Sequence, residues 1–260
     1  MGLSPSTDNY TLGKGVVYFN RKDSETGLST GERDLGNAPS FSFNIALEKL
    51  PHYSSRGGLK SKDKEIVSQM TPAIAFTLDE VNADNLALLT LADVETVEQV
   101  GNSVIDETHK AYLGKRISLN YRGISAVTVK DADTGMTTYD AGVDYKIDTS
   151  LDDAKIGRIL ILPSGDITEG QSLDISYTYA TVTYTRIKAF AQTQVEGFLR
   201  FVSDNPAGDQ QELKIWRVSL TPAGDTAMIG DDWSTLGFTG EVLKDSTGHP
   251  DSPYMDIIMT

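Results

Sequence analysis

Alternation of apolar and polar residues constrains this chain more than any other feature. From position 40 to 48 it reads Ser-Phe-Ser-Phe-Asn-Ile-Ala-Leu-Glu, which places Phe41, Phe43, Ile45 and Leu47 on one side of an extended segment. A period of two is the signature of a half-buried antiparallel strand. Further strands are predicted at 15–19, 66–69, 73–78, 116–121, 126–130, 158–162, 173–184 and 213–220. Turn chemistry separates them: Asp-Thr-Gly at 133–135, Pro-Ser-Gly-Asp at 163–166, Asn-Pro-Ala-Gly at 205–208 and Pro-Ala-Gly-Asp at 222–225. Many short strands with such turns indicate a mainly β protein of packed antiparallel sheets.

One segment reads as helix. Asn82 is a capping residue, Asp84 suits a first turn, and 85–93 is rich in helix formers, so a helix over about 82–92 is expected to pack Leu86 and Leu89 on a sheet. Between 173 and 184 the apolar positions change parity, from Leu173, Ile175, Tyr177 and Tyr179 to Val182 and Tyr184. A bulge or sharp bend near Ala180 would produce that change.

The chain has 23 basic and 37 acidic residues and a net charge of −14, and the charge is unevenly spread. Segment 109–181 carries eight basic and ten acidic residues, a net of −2 that leaves −12 for the remainder. It reads as a small β-domain inserted between a first part, 1–108, and a second part, 182–260, of one main fold. Within that fold, 49–64 holds five bases (Lys49, Arg56, Lys60, Lys62 and Lys64) against Asp63 alone. From 79 to 107 there are eight acids, including Asp79, Glu80, Asp84, Glu95 and Glu98, and no Lys or Arg. A charge run is commonly just a solvated face. The basic stretch 50–63, read as a long loop between two strands, also suits contact with the acidic segment of a second copy, and such a head-to-tail contact generates rings or filaments.

Little in the sequence points to catalysis. The absence of cysteine excludes disulfides, thiolate metal sites and thiol chemistry. His52, His109 and His249 lack metal-ligand spacing. Ser61 and Lys62 to Lys64 match a Ser-x-x-Lys spacing without its companion motifs, and Asp131 to Gly135 begins like a calcium loop but lacks the later ligands, so a plain turn is expected. Gly13-Lys-Gly15 opens a strand and is no nucleotide fingerprint. Asp231 and Asp232 beside Trp233 read as solvated loop carboxylates. Tyr177, Tyr179, Tyr184, Phe190, Phe198, Phe201 and Trp216 fall in strand-like stretches, where sheet packing accounts for them. Net acidity argues against wrapping of nucleic acid. The polar start, Met1 to Tyr10, lacks the apolar run of a signal peptide or anchor, so no catalytic residue, cofactor, metal or membrane contact is expected and the protein is expected to be made in the cytoplasm.

Three runs carry a resemblance: Leu12-Gly-Lys-Gly-Val-Val-Tyr-Phe19, Thr30-Gly-Glu-Arg-Asp-Leu-Gly-Asn-Ala-Pro-Ser-Phe-Ser-Phe43 and Glu48-Lys-Leu-Pro-His-Tyr-Ser-Ser-Arg-Gly-Gly-Leu-Lys60. With them go Val195 to Gly208 and Gly237 to Asp245, which look like closing strands. Together these segments resemble the major tail tube proteins of long, non-contractile-tailed bacteriophages. The resemblance implies two antiparallel sheets with one flanking helix, and six copies forming a ring whose inner strands join into a continuous β-barrel. Rings stack into a tube through which genomic DNA passes without specific binding. The implied location is the virion, with the host cytoplasm before assembly. The implied partners are further copies of the chain, a tape measure protein, tail assembly chaperones and a tail terminator.

By the same resemblance the stretch 50–63 reaches the adjacent ring, which makes Leu50, Tyr53, Arg56, Leu59, Lys60 and Lys62 ring-stacking candidates. Asp79, Glu80, Asp84, Glu95 and Glu98 become candidates for inter-subunit or lumen positions. Segment 109–181 departs from compact members of the family and is expected on the outer surface. The rival readings are a β-sandwich surface module recognising carbohydrate or a receptor, and a hydrolase built on scattered carboxylates.

Overall fold

The computed structural model describes residues 7–260; the first six residues of the polar N-terminus lie outside the described residues. The chain is mainly β, and the ladders of its three larger sheets are antiparallel. It divides into two compact units, one running to Glu95 and resuming at Ile187–Thr260, the other formed by Thr96–Arg186.

In chain order the first unit begins with β1 (Gly15–Arg21), β2 (Arg33–Asp34), β3 (Ser40–Ser54), β4 (Ser61–Leu78) and α1 (Ala83–Leu89). Strand β5 (Asp93–Gln99) carries the chain onward. The second unit holds β6 (Asn102–Lys110), β7 (Arg116–Ser118), β8 (Ile124–Asp131), β9 (Thr138–Tyr139), β10 (Tyr145–Lys146), α2 (Asp153–Ile156), β11 (Arg158–Ile161) and β12 (Ser172–Tyr179). Strand β13 (Val182–Lys188) pairs with β5, and the first unit ends with β14 (Val195–Ser203), β15 (Gln211–Pro222), β16 (Leu236–Val242) and β17 (Met255–Met259).

The first unit is one eight-stranded sheet in the order β2-β1-β14-β15-β16-β4-β3, with β17 added to β15. Along one edge of β15, residues 211–215 pair with β17 and residues 218–222 with β16, so the sheet parts around Trp216. It also folds back on itself. Phe41 of β3 stacks on Phe201 of β14 with ring centroids 5.1 Å apart, although three strands separate them in the pairing order. The expected pair of packed sheets is thus a single sheet turned upon itself, and within one chain it does not close into a barrel. Val17, Phe19, Ile74, Phe76, Leu199, Ile215, Leu220 and Phe238 fill the interior.

Helix α1 covers one side of this core and is shorter than the expected 82–92. Asn82 caps it by accepting from Asn85 N, and Leu91, at φ +48°, ends it. Its buried face is Asn85, Ala87, Leu88 and Leu89, while Leu86 is only partly buried. Asn85 is inside because every polar atom of its amide is used: Nδ2 donates to the carbonyls of Leu35 and Glu80, and Oδ1 accepts from Arg33.

The second unit packs a four-stranded sheet, β6-β12-β8-β9, and a three-stranded sheet, β10-β11-β7, around its own core of Ile117, Val129, Ile159, Ile161, Leu173 and Ile175. Its ends fall outside the expected 109–181 because β6, from Asn102, pairs along β12. The chain breaks direction at Ala180, where Ala180 N donates to Gly123 O and Gly101 N to Thr181 Oγ1, so the long strand expected over 173–184 is two strands. A second helix, α2, was invisible to periodicity because it is one turn long. Its first residue, Asp153, is fully buried and accepts from Arg116 Nε at 3.1 Å and Arg158 Nε at 2.6 Å. Burial works against its charge, but the two guanidinium groups hold its carboxyl below the ordinary aspartate range.

Two outcomes follow. Phe238 and Phe76 stack at 5.0 Å and are buried, so Phe238→Ala should cost about 3–5 kcal/mol in urea unfolding. The depressed pKa of Asp153 gives stability that is complete above the unfolded value of 3.8 and lost as pH falls through the lower folded value. An acid titration followed by circular dichroism should show that loss, and Asp153→Asn should remove that component of the pH dependence while lowering stability at neutral pH.

Candidate functional site

The pairing of β3 with β4 outruns the core that it begins in. Near the root, Phe41 opposite Phe76 faces the interior. Beyond that point the same face continues through the cross-strand pairs Phe43 with Ile74, Ile45 with Pro72 and Leu47 with Met70. Pairs directly opposite share a face, so this is an unbroken apolar stripe. The expectation of a half-buried strand fails here, because Phe43, Ile45, Leu47 and Met70 are 43–52% exposed. Among the described residues β16 accompanies β4 only as far as Ala73 and β3 pairs only with β4, so both edges of the distal ribbon are free of them.

The ribbon continues to Ser54 opposite Ser61, a projection of roughly 35 Å at about 3.3 Å per residue. The stretch 49–64, expected as a long loop, is therefore mostly paired strand. Leu50 and Tyr53 lie on β3, Lys62 lies on β4, and only the turn between the strands holds Arg56, Leu59 and Lys60. Two irregularities hid the strands from sequence reading. Ser68 and Asp63 are extra residues on β4, so its alternation changes parity twice while that of β3 does not. Proline also looked like a breaker, yet Pro51 sits on an edge strand and Pro72 lies just past the end of β16, where no ladder partner is lost. Gly57 and Gly58 make the turn.

The basic charge of the ribbon is partly spent within it. Lys49 pairs with Glu65 at 3.1 Å, Lys62 also pairs with Glu65, and His52 Nδ1 meets Asp63 Oδ1 at 2.5 Å. Among the described residues Arg56, Lys60 and Lys64 have no ion pair, which concentrates free positive charge at and beside the turn. Leu59 at the turn is 85% exposed.

The acidic candidates are scattered by the fold. Asp79 accepts from Asn37 Nδ2 at 2.6 Å just past β4, the Glu80 carboxylate lies over Gly36, and Asp84 sits in the first turn of α1 near Arg33. Glu95 pairs with Lys188 at 3.0 Å across β5 and β13, and Glu98 belongs to the second unit. Asp79 and Glu95, which share a unit with the basic turn, take other partners.

The motifs weighed for chemistry take structural roles. Asp131 accepts from Asp133 N and Thr134 Oγ1 in a turn, and these bonds lower its pKa. The three histidines each take a different carboxylate: Asp63, Glu107 and Asp245. Asp231 and Asp232 lie in an exposed loop. Phe190, expected inside a strand, is in a turn at φ +60° and 79% exposed. Missed altogether was the exposure of Met228 and Ile229 in the loop before β16; two large apolar residues inside a Gly- and Asp-rich stretch were the available signal.

A family model described as "Protein of unknown function UCP028589" matches residues 10–258, and the chain belongs to that family. No curated protein matches it.

Because Ile45 and Leu47 touch water in the single chain, Ile45→Thr with Leu47→Thr should change unfolding free energy by only about 0.5 kcal/mol. The same pair should lower binding of an apolar dye to the folded chain, which reads the stripe as exposed apolar surface.

Proposed function

We propose that this member of a family with no described activity is a structural subunit that assembles with copies of itself, and specifically a tail tube protein of a long-tailed, non-contractile bacteriophage. One observation carries the reading: a two-stranded arm extends the apolar face of the core into solvent with both edges open. An isolated hairpin is marginally stable in water, and exposed apolar stripes of this kind mark contact surfaces. The distal part of the arm, residues 50–63, is the stretch that the tail tube resemblance assigns to the adjacent ring.

In this reading six copies close the edges of the folded sheet against one another, forming the barrel that one chain lacks, and rings stack through the arms. Closure across copies pairs backbone groups that an isolated edge leaves to water. The net charge of −14 suits a lumen that repels phosphate and lets DNA slide. The second unit folds around its own core as an addition to the tube-forming unit, and the tape measure protein, assembly chaperones and terminator set length and ends. Such a role uses no catalytic residue, cofactor or metal, and it places the protein in the virion.

Electron microscopy of the purified chain with its assembly partners should show stacked rings; persistent monomers under those conditions would overturn the proposal. Deletion of residues 50–62 should leave a folded monomer by circular dichroism and block tube growth.

A further inference from the structure

The loop joining β15 to β16, residues 223–235, exposes Met228 by 82%, Ile229 by 95% and Trp233 by 94%. Its local bonds are few: Ala223 N donates to Gly237 O, and Ser234 Oγ to Ala227 O. It carries Asp225, Asp231 and Asp232 and no basic residue. A tryptophan and two long aliphatic side chains held in water contribute nothing to packing within the chain. They are the residue types that anchor contacts between proteins.

Register places this loop. β16 runs antiparallel to β4 with Leu236 opposite Leu78 and Glu241 opposite Ala73. The loop before Leu236 therefore lies beyond the C-terminal end of β4, where Asp79, Glu80 and the exposed Val81 also lie. The projecting ribbon leaves from the other end of the same strand, below Ala73. One end of the first unit thus presents Leu59 and Tyr53 among unpaired Arg56, Lys60 and Lys64, and the opposite end presents Met228, Ile229 and Trp233 among acids. Surfaces that are complementary and lie at opposite ends of one strand axis join copies in series, without a twofold axis.

We infer that loop 223–235 is the seat for the ribbon tip of a second copy, with Leu59 and Tyr53 against Met228, Ile229 and Trp233, and Arg56, Lys60 and Lys64 facing Asp225, Asp231 and Asp232. This inference rests on the self-assembly reading and adds the receiving surface to it. The contact is heterologous, so each copy gives a tip and receives one.

The chain has no cysteine, so introduced thiols are unique. Full-length Ser55→Cys and Ser234→Cys proteins, differently tagged and co-assembled, should give a mixed dimer with a short bismaleimide, whereas Ser55→Cys with Ala207→Cys, in the loop joining β14 to β15 at the ribbon end of the same unit, should not. Trp233→Ala should weaken end-to-end association about tenfold or more while the monomer remains folded. Lys60→Glu with Lys64→Glu should do the same, and adding Asp231→Lys with Asp232→Lys should restore assembly. Polymers that form without the Ser55→Cys to Ser234→Cys link, or charge reversals without mutual rescue, would overturn the seat and leave the proposed function standing. A chain that never self-associates would overturn both.

Discussion

The ladder between β3 and β4 is the interaction on which the first unit turns. Its inner pair, Phe41 with Phe76, packs at the core, Phe43 opposite Ile74 already emerges from it, and the outer pairs stand in water. A hairpin of that length would be marginal alone. It holds its shape because the root is fixed three ways: β16 pairs β4 from Ala73 to Leu78, Phe41 stacks on Phe201, and Phe76 stacks on Phe238. Core packing thus orders a segment that has no core of its own, and among the described residues Ile45 and Leu47 stay half exposed.

The same ladder shows what the sequence could and could not disclose. The alternation at 40–48 marked a strand and its apolar face, because a period of two is a local property. Whether that face meets a core depends on where β16 stops, which is set by pairing more than 150 residues away in the chain. The distal half has the look of a loop in sequence because Ser68 and Asp63 shift the parity of β4 and because Pro51 is harmless only on an edge. The break at Ala180 was legible since it reverses parity on both sides of one residue. Strands β5 and β6 were not, as their charge masked a pattern whose half-buried face only pairing reveals. Of the candidate contact residues, Leu50, Tyr53, Arg56, Leu59, Lys60 and Lys62 do fall on one projecting element, whereas the acids chosen by a run of charge fall on several.

The second unit follows a different logic. It has an interior of branched aliphatic residues and a charged pin, Asp153 between Arg116 and Arg158. A buried carboxylate held by two cations is costly to break, since removing one member leaves the others uncompensated. That pin ties α2 to β7 and β11, so the short strands of this unit are fixed by side chains as much as by their ladders.

The two prolines of the ribbon do more than escape notice. A strand that grows sideways needs an uninterrupted row of donors, and β3 has none to offer at Pro51, nor β4 at Pro72. Any foreign strand that zips along either edge therefore meets a gap within a few residues of the stretch where apolar side chains are most exposed. The ribbon keeps an adhesive face while its rims are poor templates, which separates recognition by side chains from uncontrolled extension of the sheet.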